Sequence, residues 1–109
     1  TLRITLCHST TLFRSSGALS GLASELAVLG AAARFDVILA NLLPAQLVPI
    51  LPALKVRLAD DGELAVSGLL AGQRAAVESE LNRVGLVAVG ALAMGEWVAV
   101  RCRLAAPPL

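Results

Sequence analysis

The feature that most constrains this chain is an order of segments: from Phe35 onward, apolar runs of strand length alternate with stretches of helical spacing. "FDVILA" (35–40) is an apolar run with Val and Ile, the pattern of a strand covered on both faces. It stops at Asn41, and Pro44 can open a helix, because the first helical turn does not use proline's missing N–H. "LVPILPALKVRLA" extends that helix, with a kink or restart expected near Pro49 and Pro52. Asp60-Asp61-Gly62 is turn chemistry, and "ELAVSG" (63–68) is a second short strand. "AGQRAAVESELNRVG" (71–85) predicts an amphipathic helix, with Ala76, Val77, Leu81 and Val84 inward and Gly85 as its C-cap. "LVAVGALA" and "EWVAVRCRL" are strands joined by a tight Met94-Gly95-Glu96 link, which predicts an antiparallel hairpin.

The order from Phe35 is therefore β-α-β-α-β-β, an α/β pattern. Strands separated by helices imply right-handed parallel crossovers and an open sheet, with helices expected on both faces. Ligands in such sheets sit outside the carboxyl ends of the strands. Asn41 lies at one such end and Ser67-Gly68 at the next.

Residues 1–34 are less readable. "TLRITLC" alternates like a strand with Leu2, Ile4 and Leu6 on one face, while the hydroxyl-rich "HSTTLFRSSG" reads as loop. Leu22, Leu26 and Leu29 suggest a short helix over 19–29, ended by Gly30. The expected organisation is an unassigned segment 1–34, a partial α/β domain 35–104 and a frayed tail 105–109.

Composition narrows the function classes. The chain is 57% hydrophobic with three aromatics (Phe13, Phe35, Trp97), so Ala, Leu and Val must build the core. Net charge is +1 and the basic residues are dispersed, which leaves no electrostatic footprint for direct nucleic-acid binding. The 18 residues from Val37 to Leu54 carry no charge, near the minimum for a membrane span. They also hold Pro44, Pro49 and Pro52, which would break a spanning helix. With no apolar signal-peptide core at the N-terminus, the expected location is cytoplasmic. Cys7 and Cys102 are too few and too far apart for a metal site, and read as small reduced side chains. His8 is adjacent to Cys7, so on a strand the two would face opposite ways.

At this point residues 35–104 resemble the C-terminal part of a class I S-adenosylmethionine-dependent methyltransferase, and within that class the ribosomal protein L-eleven methyltransferase family. The resemblance rests on "FDVILANLL", "DDG" after the helix, "SGLL", Gln73 soon after it, and "GEWVAVRCRL" at the end, in that order. It implies a Rossmann-like sheet ending in an antiparallel hairpin, S-adenosylmethionine as cofactor, and amines of a large-subunit ribosomal protein as substrate. It also implies that Asn41 borders the cofactor and orients the amine, with Ala40 and Ser67 as weaker cofactor neighbours. Transfer of this kind relies mainly on holding two reactants in line, so a missing acid–base constellation does not oppose it. On local sequence alone, the alternative for Asn41 is a cap that closes the strand, and Gly68 could serve only the turn. Asp36 reads as surface solvation and Trp97 as a core anchor.

The chain departs from the family upstream of Phe35. "SGALSGLAS" is not the glycine-rich cofactor loop, and 34 residues are too few for the β-α units that precede this part of the sheet. The chain therefore reads as a fragment, with the isolated chain expected to be inactive. A non-catalytic α/β module, or a methyltransferase of another substrate class, are the alternatives. The edge of the "VILA" strand, left without its neighbour, would favour self-association.

Overall fold

The computed structural model describes residues 3–7, 12–16 and 34–105, with side chains described from Arg34 onward. Six strands form one sheet: β1 (Arg3–Cys7), β2 (Leu12–Ser16), β3 (Phe35–Asn41), β4 (Leu58–Leu70), β5 (Leu86–Met94) and β6 (Trp97–Leu104). Their spatial order is β2-β1-β3-β4-β6-β5, and β3–β4 is the one parallel neighbour pair in it. The proposed helix at 19–29, the tail beyond Ala105 and the His8 side chain lie outside the described residues.

The β3–β4 crossover runs through α1 (Pro44–Leu47), a 3-10 turn (Val48–Ile50) and α2 (Leu51–Val56). The restart expected from Pro49 and Pro52 is present: each proline occupies the opening of a new helical piece, where its ring is tolerated. After β4 a 3-10 turn (Ala71–Gln73) leads into α3 (Arg74–Arg83). Gly85 then turns the chain at φ +90°, in the conformation glycine adopts most easily.

The helices cover one face of the sheet. Ile38, Ala40, Leu64, Val66, Val100 and Cys102 are buried, whereas the alternate positions Leu39, Ala65, Ala99 and Arg101 are exposed or half-buried. The expectation of helices on both faces is corrected for the two crossovers among the described residues, whose helices share one face. Both crossovers step the same way along the sheet, so right-handedness brings both helices to the same side. Leu47, Leu51 and Leu54 from the first crossover and Val77 and Leu81 from α3 fill that core. Val84 is partly buried against it, but Ala76 is exposed, so the inward stripe of α3 is narrower than the periodicity suggested.

Two further expectations change. "HSTTLFRSSG" contains β2, which pairs antiparallel with β1 from Arg3↔Ser16 to Cys7↔Leu12, so pairing overrides a loop-like composition. The second strand is longer than "ELAVSG", and Asp60-Asp61-Gly62 lies within β4 rather than ahead of it. The turn chemistry is still used. Phe35 pairs with Leu58 and Val37 with Glu63, so residues between Leu58 and Glu63 bulge out of the ladder. Gly62 is buried at the base of this bulge, where a Cβ would stand 2.9 Å from the carbonyl oxygens of Phe35 and Ala59.

The edge of β3 is not exposed. β1 lies antiparallel along it, from Arg3↔Asn41 to Cys7↔Val37, which corrects the expectation that this strand lacks a neighbour.

Candidate functional site

The parallel register places Asn41 directly opposite Ser67 at the carboxyl ends of β3 and β4. Both side chains project from the face opposite the described helices, since their neighbours Ala40 and Val66 point into the core. The Ser67 hydroxyl donates to Asn41 Oδ1 at 3.3 Å. One residue further, Gly68 has φ +84°, and a Cβ there would meet Asn41 Oδ1 at 2.7 Å. The β4–β6 ladder shifts at the same place, between Val66↔Val100 and Leu69↔Val98, so Ser67 and Gly68 form a one-residue bulge. Register, bulge and the absent side chain of Gly68 together make the space that the Asn41 amide occupies.

The two strand ends are built alike. "NLLPAQ" (41–46) and "GLLAGQ" (68–73) share the pattern Leu-Leu-x-x-Gln. Leu42 and Leu69 are buried, and Leu43 and Leu70 are exposed. The glutamine three residues on accepts the backbone N–H of the second leucine: Leu43 to Gln46 Oε1 at 3.4 Å and Leu70 to Gln73 Oε1 at 2.9 Å. The side-chain amide thus takes up a donor that the helical start leaves without a partner. The repeat was open to reading in the sequence, and it explains Gln73 as a structural residue.

Among the expected site residues, Asn41 and Ser67 are brought together and Ala40 is not. Ala40 is 1% exposed on the helix-covered face, so only its backbone could border a ligand on the Asn41 side. Trp97 is no core anchor: it is 51% exposed. With Ser67, Gly68, Leu92, Met94, Val98 and Ala99 it lines an open, apolar cavity of about 190 Å³ beside the Ser67 bulge. Asp36 and Glu96 are exposed, in keeping with a solvating role.

The Arg101 side chain hydrogen-bonds Glu63 and holds that carboxyl below its usual range, while Glu63 in turn raises Arg101. This pair lies well back along β4 and β6. Burial pushes the Cys102 thiol up to about 12, with the Glu63 charge adding to it, and the thiol donates to the Leu64 carbonyl at 3.3 Å. Cys102 is thereby an inert structural thiol. Among the described residues no group of His, Cys, Asp and Glu could hold a metal ion, and no helix is long and apolar enough to cross a membrane.

A family model described as ribosomal protein L11 methyltransferase (PrmA) matches residues 17–105. Among curated proteins, the ribosomal protein L11 methyltransferase of Desulforapulum autotrophicum is 34% identical over 71 residues, which are 65% of this chain and 23% of the relative. That of Geobacter sulfurreducens is 41% identical over 64 residues, 59% of this chain and 21% of the relative. The chain thus matches between a fifth and a quarter of these relatives' length. A crystal structure of ribosomal protein L11 methylase from Lactobacillus delbrueckii subsp. bulgaricus superposes with a TM-score of 0.65 at 24% identity. It covers 72% of this chain and 41% of that one, a likeness of fold.

Proposed function

The chain belongs to the ribosomal protein L11 methyltransferase family, and from that premise we propose that it forms one wall of an S-adenosylmethionine-dependent protein methyltransferase site. The substrate under this reading is an amine of a large-subunit ribosomal protein, and the location is the cytoplasm. The observation that carries the proposal is the pairing of Asn41 with Ser67 at adjacent parallel strand ends. This is where open α/β sheets place their ligands.

Bound S-adenosylmethionine supplies an electrophilic methyl group. This chain's part is orientation. Asn41 Oδ1 accepts from Ser67, and under this reading the same side-chain carbonyl also accepts an N–H of the incoming amine. That contact turns the amine's own lone pair toward the methyl group and restricts its approach, a positioning effect that needs no strong base. The open apolar cavity at Ser67 and Trp97 adds apolar surface beside the same strand end.

The described residues fit a wall of such a site and not the whole of it. Asn41 and Ser67 offer an amide and a hydroxyl, but no described loop presents converging backbone amides, and ribose recognition by a carboxylate is not formed at β3 or β4. The isolated chain is accordingly expected to bind S-adenosylmethionine weaker than micromolar in calorimetric titration. The activity test places residues 35–104 into the full-length Geobacter sulfurreducens relative, in place of its matching segment. Methylation of the ribosomal protein by this chimera, lowered about 100-fold in kcat by Asn41→Ala, is the expected result. A chimera that binds cofactor and transfers equally well with Asn41→Ala would overturn the reading.

A further inference from the structure

We propose that the Ser67–Gly68 bulge is a seat for the Asn41 amide, which makes Ser67 and Gly68 positioning residues and separates Ser67 from direct cofactor contact. The inference rests on the reading of Asn41 as the residue that orients the amine.

Three independent features of the backbone and side chains converge on one atom, Asn41 Oδ1. Parallel pairing sets Ser67 opposite Asn41, so the hydroxyl needs no long reach to donate at 3.3 Å. The ladder shift between Val66 and Leu69 turns the chain locally and brings residue 68 against the amide. Gly68 then leaves the volume that a side chain would fill, since any Cβ would stand 2.7 Å from Oδ1. Its φ of +84° is a second reason for glycine, because an L side chain is strained there even with space available. A strand end that needed only a turn would not require its glycine to abut a side chain of the neighbouring strand. Asn41 itself is exposed, and an exposed amide free in solution samples several rotamers. The hydroxyl on one side and the bare Gly68 backbone on the other restrict that sampling before any substrate arrives. Such preorganisation is what an orienting group requires.

The first measurement uses the full 109-residue chain. In nuclear magnetic resonance spectra, Asn41 should show one side-chain NH2 pair and three-bond couplings of a single χ1 rotamer. Ser67→Ala should average those couplings, Ser67→Thr should restore them, and Gly68→Ala should shift the NH2 pair by displacing the amide. Unchanged couplings in Ser67→Ala, with the chain folded, overturn the proposal. The second measurement uses the chimera described above. Ser67→Ala should lower kcat about 10- to 100-fold with the KM for S-adenosylmethionine unchanged, and Ser67→Thr should recover most of the loss. A rise in that KM without loss of kcat would instead make Ser67 a cofactor contact and sink the proposal. Loss of activity in Asn41→Ala together with full activity in Ser67→Ala would refute the seat while leaving the Asn41 reading intact. Full activity in Asn41→Ala would remove the premise itself.

Discussion

The parallel pair β3–β4 is flanked on each side by an antiparallel hairpin, β6–β5 on one side and β1–β2 on the other. On one side, β6 and β5 send Val98, Val100, Cys102 and Leu86 into the core beneath the helices. On the other, β1 and β2 join the sheet through the backbone ladder from Arg3↔Asn41 to Cys7↔Val37. The first hairpin lies inside the family match at 17–105, and the second lies wholly before it. A strand edge presents N–H and C=O groups that any extended segment can meet, whereas a core position selects a side chain by shape. The C-terminal hairpin is tied to its particular residues by core packing, and along β3 the N-terminal one supplies the backbone groups that pair its edge.

The largest effect should come from the side that is specified by packing. Leu64 is 1% exposed and stands between Ile38 of β3 and Cys102 of β6, whose thiol donates to its carbonyl. Leu64→Ala should lower the unfolding free energy by about 2–5 kcal/mol, measured in urea with an unchanged m-value. A loss below about 1 kcal/mol would mean that β4 and β6 do not share a close-packed core.

A smaller effect is expected on the other side. Thr5 pairs with Arg14 of β2 and Leu39 of β3, so Thr5→Pro removes a backbone donor from the middle of that ladder. The direct cost is about 0.5–1.5 kcal/mol, the net value of one hydrogen bond. The larger consequence should be in association: with β3 uncovered, light scattering should show more concentration-dependent association than for the unsubstituted chain. A Thr5→Pro variant that stays monomeric and equally stable would show that β1 does not guard the β3 edge.

The same difference explains what could be read in the sequence. Phe35 to Leu104 announced itself because its elements bury side chains with the periods of strands and helices, and Pro44, Pro49, Pro52 and Gly85 marked the helix boundaries by covalent geometry. β2 was missed because "LFRSS" lacks the apolar alternation of a half-buried strand, and its pairing with β1 leaves no signal within the segment itself. Asn41 was legible as a strand-end amide, and Ser67 as a neighbour. That their side chains touch depends on a parallel register across 26 residues of sequence. Trp97 was misread because scarcity of aromatics argues for burial, whereas the hairpin tip carries residues 91–97 beyond the covered face.

The mildest perturbation tests whether charge adds to the C-terminal side. Glu63 on β4 is held below its usual value of 4.5, first by the side-chain hydrogen bond from Arg101 on β6 and then by the charges of Arg101 and Arg103. A carboxyl whose folded-state value is depressed binds its proton more weakly folded than unfolded, so its contribution is complete above the unfolded value. Stability from this pair should therefore be present above pH 4.5 and fall as the pH drops through the lower folded value. Because the pair lies at the surface, water and salt screen it, and the change should be small beside that of Leu64→Ala. Urea midpoints compared between pH 6 and pH 3 should fall less in Glu63→Gln than in the unsubstituted chain, and 1 M salt should shrink that gap. Thr5→Pro should leave the gap unaltered, because Glu63 and Arg101 belong to strands on the far side of β3 from its ladder.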